Sequence, residues 1–373
     1  MTYLDYQATT PMAPEALAAM LPWLERQHAN PHSTHPPGRA AKAAVEVARD
    51  WIEGLLPEGG RMAFTSGATE ALNWAIKGTR GGIVTLASEH AAVLDTVAAE
   101  RAHGRDVTVL PVGSDGLVDL GSAAAAIRPG VGLVAAMLVN NEIGVVQPIE
   151  ALADMAHAVG AVMLCDAAQG FGRVAIPAAC DLIAVSAHKV HGPKGVGALW
   201  LRNGVALAPL LHGGNQEEGR SGTLSPALCA GFGAAARLMI DRADTDAAHV
   251  ARLWDIAVAH LASSSKSRVG PCQADWIING SVDARYRGNL NIRREGLDVA
   301  RLMSECRDVA VSAGSACASG SGRASHVLRA IDLTEAQARE SIRIGFGRYT
   351  TEEELIAALI RIDSAASAQR IAA

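Results

Sequence analysis

With 373 residues, 49% of them hydrophobic, the chain has the length of two or three domains and enough apolar material for a large core without metals or disulfides. A net charge of -5 leaves no basic stripe, which argues against nucleic acid as a ligand, so any anionic substrate has to be held by local arginines. No apolar stretch approaches the roughly 20 uncharged residues that span a bilayer, and the opening "MTYLDYQATTP" lacks the basic start and apolar run of a leader peptide, so a cytoplasmic protein is expected.

In chain order, the first helical stretch, "EALAAMLPWLERQ", carries Pro22 and predicts a kink or an interruption. "FTSGATEALNWAIKG" is a glycine-containing loop running into a helix, with Thr65 or Ser66 placed to cap it; such a start favours anions, although any capped helix looks similar. There follow six apolar runs that read as strands: "GGIVTLAS", "DVTVLPV", "VGLVAAMLV", "GAVMLCDA", "DLIAVSA" and "VGALWL". Between several of them lie alanine-rich helices such as "HAAVLDTVAAERAHG" and "PIEALADMAHAVG". The alternation predicts an α/β fold whose sheet is mostly parallel. From about residue 226 the pattern changes to one long helical stretch reaching "AVAHLA". After it come "GNLNIR", the helix "LDVARLMSECR", the strand "DVAVSAG", the helix "SHVLRAI", the strand "SIRIGFG" and a last helix, where Thr351 and Glu354 fit a capping box. This predicts a large domain over residues 12–245 and a smaller α+β domain made of residues 1–11 and 246–373.

Three features suggest chemistry. The chain has five lysines, and two, Lys189 and Lys194, fall within "SAHKVHGPKG". Lys189 ends a buried strand, where open α/β sheets bind ligands and where an amine of lowered pKa can act as a base or form a Schiff base. Asp166 and Gln169 follow the strand "AVMLCDAAQ"; Asp166 either caps the next helix or pairs with a protonated ring nitrogen. Of six scattered cysteines, none in a CxxC pair, five lie in apolar company, whereas Cys317 sits in "VSAGSACASGSGRAS", among Gly, Ser and Ala.

Taken together, "YLDYQATTP", "TSGATE", "EHAAVLDT", "VNNEIGVVQPI", "CDAAQ", "HKVHGPKGVGAL", "RSGTLS", "SAGSACAS" and "SIRIGFGRYTTEEE" make the chain resemble fold-type I pyridoxal phosphate enzymes of the class V aminotransferase superfamily, and within them the NifS/IscS cysteine desulfurases. The resemblance implies that Lys189 holds the cofactor covalently. It implies that Asp166 pairs with the pyridine nitrogen, Gln169 with the phenolic oxygen, and that His90 stacks on the ring and takes part in catalysis. Ala68, Thr69, Ser186 and His188 would contact the phosphate, joined by Thr223 from the second subunit of a homodimer. Asn141 would lie near ring and substrate, and Arg343 would take the carboxylate of L-cysteine. Cys317 would accept the sulfur as a persulfide, leaving L-alanine, and pass it to an iron-sulfur scaffold or another acceptor protein. With that scaffold it would share a transient [2Fe-2S] cluster as a ligand.

There are departures. "HGGNQEEGRSGTLS" is one residue shorter than usual before Arg220, and Gln216 stands where some relatives carry histidine. A selenocysteine lyase, another class V enzyme, and a non-catalytic scaffold are the competing readings. Cys317 argues against simple transamination, and retention of Lys189, Asp166, His90 and Cys317 argues against the scaffold.

Overall fold

The computed structural model describes residues 1–266, 276–313 and 324–371. The chain opens with strand β1 (Thr2–Tyr3) and helices α1 (Pro14–Glu25) and α2 (Pro36–Glu53). Strands and helices then alternate: β2 (Gly60–Thr65), α3 (Ala68–Gly78), β3 (Gly82–Leu86), α4 (Ala91–Ala102), β4 (Val107–Leu110), α5 (Leu120–Ala126), β5 (Val131–Met137), α6 (Ile149–Ala158), β6 (Val162–Asp166), β7 (Leu182–Ser186) and β8 (Gly197–Arg202). The remainder comprises α7 (Pro226–Asp241), α8 (Ala243–Lys266), β9 (Ile277–Ile278), β10 (Asn289–Arg293), α9 (Val299–Glu305), β11 (Val309–Ala310), β12 (Ser312–Ala313), α10 (His326–Ala330), α11 (Glu335–Arg339), β13 (Ser341–Gly345) and α12 (Glu352–Ile371).

Strands β2 to β8 form one seven-stranded sheet in the order β2-β8-β7-β6-β5-β3-β4, in which β8 alone runs antiparallel to its neighbours. Its central strands are apolar on both faces, as a sheet covered by helices on each side requires. One face packs through Val84, Val134, Cys165 and Ile183, the other through Ile83, Leu133, Leu164 and Leu182. A second core, around Leu253, Leu290, Ile344 and Leu359, lies under a four-stranded sheet of order β12-β13-β10-β9. The N-terminus reaches it, with β1 pairing parallel to β11. No described helix is long and apolar enough to cross a membrane.

Three local expectations need correction. Of the kink or interruption expected at Pro22, the interruption does not occur: α1 runs through it to Glu25. The carbonyl it leaves without an N–H partner, on Ala18, belongs to an exposed residue and can be met by water. The long helical stretch after residue 226 breaks at Arg242 into α7 and α8, and Arg242 caps α7 with its own N–H. "DVAVSAG" is split at Val311, so that β11 pairs with β1 and β12 with β13. The capping box is as expected: Thr351 N–H donates to Glu354 and Glu354 N–H to Thr351 Oγ1, both at 3.1 Å.

The N-terminal segment is laced to the turn after β7 by Thr10 N–H and Oγ1, each 2.9 Å from His188 O. His191, 3% exposed, sits 2.9 Å from Pro11 O through Nδ1, which therefore carries the proton. Burial, reinforced by Arg173, lowers its pKa to about 3. The unfolded histidine takes up a proton near pH 6.5 while the folded one does not, so stability is intact above that value and falls as the pH drops from about 6.5 towards 3. His191 alone contributes up to about 1.4 kcal/mol of loss per pH unit in that window. His191→Asn keeps a donor and suits the positive φ of 68°. Urea titrations at pH 7 and pH 5 should show a smaller acid loss in the variant; equal losses would remove His191 from the acid sensitivity.

Candidate active site

The carboxyl ends of β2, β3, β5, β6 and β7 share one edge of the large sheet, the edge at which parallel sheets expose their connecting loops. A cavity of about 500 Å³ opens there and reaches Arg343. Of the sequence-predicted residues, Ala68, Thr69, His90, Asn141, Asp166, Gln169, Ser186, His188, Lys189 and Arg343 all line it. Thr223 does not; it is exposed on the connection from β8 to α7. Cys317 lies outside the described residues.

Lys189 ends a single 3-10 turn that follows β7 directly, so the buried strand fixes where its side chain starts. Its Nζ donates to Gln7 O at 2.6 Å and Ala8 O at 2.9 Å. Asp166 terminates β6, and its Oδ1 accepts Ala168 N–H at 2.9 Å. Burial raises its pKa, against the pull of the His90 and Lys189 charges. A buried carboxyl of this kind gains most from a cationic partner inside the cavity. His90 caps α4 by accepting Ala92 N–H on Nδ1 at 3.0 Å, which puts the proton of the neutral ring on Nε2. Burial, helped by Lys189 and His326, lowers its pKa below the ordinary histidine value despite Asp166, favouring the neutral ring. His188 is pushed down to about 4 by burial and by Lys189 and Lys194. Gln169 Nε2 donates to Gln7 O at 2.8 Å. Arg343, 1% exposed, gives Nη2 to Asp5 at 2.7 Å and Ser312 Oγ at 3.2 Å, and Nη1 to Asn141 O at 3.1 Å. Its Nε and Asn141 Oδ1 have no partner among the described residues.

At the start of α3 the cap expectation fails. Gly67, at φ +157°, holds the cap position and no side chain caps the helix. Thr65 Oγ1 bonds Gly67 instead, and Ser66 is exposed. The uncapped N–H groups at Ala68 and Thr69 meet the cavity, which makes a better anion cradle than a capped start. Gly197 permits it: a Cβ there would stand 2.4 Å from Val185 O and 2.6 Å from Gly67 Cα. An anion-binding helix start, a buried carboxyl, a flat neutral imidazole and an amine are the donor set a phosphorylated pyridine aldehyde requires, and they fit it.

Sequence reasoning missed four contributors. The backbone of Gln7 and Ala8 forms a wall of the cavity, although "YQATTP" was a motif without a role. Lys194 lines the cavity too. Glu89 is fully buried, accepts Met137 N–H on Oε1 at 2.9 Å, and has its pKa pushed well up by burial and by the Asp166 charge. Glu70, in the first turn of α3, accepts Ser66 N–H at 2.7 Å and pairs with Arg220 at 2.8 Å. Burial would raise its pKa, but the Arg220 and Ser66 hydrogen bonds outweigh that and lower it.

The short segment before Arg220 is held at further points. Gln216 Oε1 accepts Gly222 N–H at 2.7 Å, and Glu217 is clamped by Arg49 at 2.8 and 3.0 Å and by Phe64 N–H at 2.7 Å. These bonds tie the segment to itself, to α2 and to β2, while the Arg220–Glu70 pair ties it to α3. Arg220→Gln should leave the Glu70 carboxylate unpaired beside the phosphate cradle and weaken phosphorylated-cofactor binding roughly tenfold, while Glu70→Gln in the same chain restores it, because a stranded charge costs more than a missing pair. Fluorescence titration of both variants with pyridoxal phosphate and with pyridoxal checks this; equal losses for the two ligands would refute it.

The chain matches the family described as aminotransferase class-V over residues 2–357. It is 42% identical to the cysteine desulfurase IscS of Rickettsia bellii, covering 95% of this chain and 88% of that protein. It is 43% identical to the mitochondrial cysteine desulfurase of Saccharomyces cerevisiae, covering 95% of this chain and 72% of that one. Among solved structures it is similar to a NifS-like protein, with a TM-score of 0.88, 29% identity and coverage of 98% and 99%. It is also similar to SspA in complex with cysteine, with a TM-score of 0.80, 34% identity and coverage of 94% and 100%.

Proposed function

We infer that this chain, which belongs to the aminotransferase class-V family, is a pyridoxal-phosphate-dependent cysteine desulfurase that converts L-cysteine to L-alanine. The observation that carries the reading is the gathering of Lys189, Asp166, His90, Gln169 and Arg343 on one cavity beside an uncapped helix start. When bound, pyridoxal phosphate supplies an electron sink for the bond broken at the substrate. Ala68, Thr69, Ser186 and His188 hold its phosphate, Asp166 keeps its ring nitrogen protonated, Gln169 meets its phenolic oxygen and His90 covers its face. Arg343 takes the substrate carboxylate; Nε is its open nitrogen, since Asp5 and Asn141 engage the others. Asn141 Oδ1 stands ready for a donor on ring or substrate. Lys189 is the covalent anchor and moves the substrate's α-proton.

Cys317 is the proposed sulfur acceptor. Its thiolate forms an S–S bond to the substrate sulfur as the C–S bond breaks, so that L-cysteine and a thiol become L-alanine and a persulfide with all atoms conserved. Among the described cysteines, Cys165, Cys180, Cys229 and Cys306 are all buried, which supports an acceptor elsewhere. We propose that the sulfur goes on to an iron-sulfur scaffold or another acceptor protein, with Cys317 as a ligand to a transient [2Fe-2S] cluster, in the cytoplasm. We also propose a homodimer in which Thr223 reaches the cofactor phosphate of the second subunit; its exposed position outside its own cavity supports this. The core around Leu253, Leu290 and Leu359 supports a smaller domain of 1–11 with 246–373 beside one of 12–245, with Val327, Leu328, Ile331, Leu333 and Ala338 of the smaller one packed in the larger core. The test is to load purified protein with pyridoxal phosphate, add L-cysteine and a reductant, and measure alanine and sulfide. Equal amounts of both are expected; keto-acid formation, or turnover with selenocysteine alone, would overturn the reading.

A further inference from the structure

A second cavity, of about 310 Å³, shares no lining residue with the first. The first two turns of α8 form one wall, and Arg173, His191, Arg287 and Arg348 bring polar groups to it. Arg348 has a 4% exposed side chain and gives Nε and Nη2 to Asp246 at 2.7 and 2.5 Å, yet its Nη1 has no partner among the described residues. Asp246 also receives Arg242 at 3.4 Å, so two guanidinium groups share one carboxylate. Arg287 is exposed and makes no hydrogen bond or ion pair among the described residues. Arg173 has no carboxylate partner among them; it donates to Lys189 O and lies 5.5 Å over the Tyr286 ring. Asp244 is the one acidic group on the wall left to offset these charges. The N-terminus of the 24-residue α8 adds positive potential at the same wall. The remaining lining, with Met239, Val250 and Tyr286, is apolar.

We propose that this cavity binds a small organic carboxylate, its charge on Arg348 and Arg287 and its apolar body against Val250 and Met239, and that occupancy is sensed at Lys189 through Arg173. Arginine forks suit a carboxylate. The apolar lining selects against bare inorganic anions. The coupling follows from Arg173 touching both the cavity and the carbonyl of the residue that holds the cofactor.

The experiment titrates sodium propionate into the cofactor-loaded protein at constant chloride, followed by calorimetry and by the cofactor's visible band. One saturable site is expected, with the band changing over the same concentration range. Arg287→Gln, and Val250→Phe, which fills the cavity, should each weaken binding tenfold or more. No saturable heat, or heat unchanged in both variants, which would put propionate in the cofactor cavity, overturns the site. Inorganic phosphate binding as tightly overturns the carboxylate assignment, and an indifferent band overturns the coupling. The calorimetric arm can also be run on cofactor-free protein, so its failure is separable from failure of the desulfurase reading.

Discussion

Lys189→Ala will abolish turnover, and borohydride will no longer fix the cofactor to the protein. Both results follow from one atom, because Nζ is the amine that the end of β7 carries into the cavity, held there by the carbonyls of Gln7 and Ala8. Lys194 also lines the cavity, but it sits on the loop before β8 and not at the end of β7. The side chain is half-buried and Lys189 belongs to none of the apolar cores, so the circular dichroism spectrum should be unchanged. Absorbance with and without borohydride, alongside alanine release, checks the prediction. A reduced cofactor still bonded to the variant would remove Lys189 from its role.

Cys317→Ser is the larger test of function, since any relative of the family needs the lysine but transamination does not need this thiol. The variant should bind cofactor and L-cysteine as before and release no alanine, because a hydroxyl attacks sulfur far less readily than a thiolate. Mass spectrometry of the wild-type peptide should show roughly 32 Da added, one sulfur on a reactive thiol. The described cysteines make poor substitutes. Cys306 is 1% exposed, its Sγ lies 3.8 Å from Arg361 O, and burial raises its pKa. Cys229 is pushed up to about 12 by burial. Full alanine release by the serine variant, or the adduct on Cys306, would end the proposed role.

What could be read from sequence followed from where the signal is stored. Continuous apolar runs announced β3 to β8 because, in all of them but the edge strand β4, both faces are covered, and Asp166 and Lys189 stood out as charges at the ends of such runs. The start of α3 was misread because a serine or threonine before a helix has two uses; Gly67 and Gly197, which let the backbone approach closely, decided between them. The break at Arg242 carried no glycine or proline to announce it. Glu89 and the Gln7–Ala8 wall were invisible for another reason: each depends on residues far along the chain, Met137 for the first and Lys189 for the second, and no local pattern records such a meeting.

The bond from Arg343 to Asp5 joins residues 338 positions apart. During synthesis, strands β2 to β8 leave the ribosome long before β13, so the large sheet can form around a site that still lacks Arg343. The N-terminal segment must wait, with Asp5 unpaired and β1 without β11, until the distant strands arrive. Under the role proposed for Arg343, substrate recognition is therefore assembled last: a nascent or truncated chain that already holds Ala68, Thr69 and Lys189 has no arginine with which to take up L-cysteine.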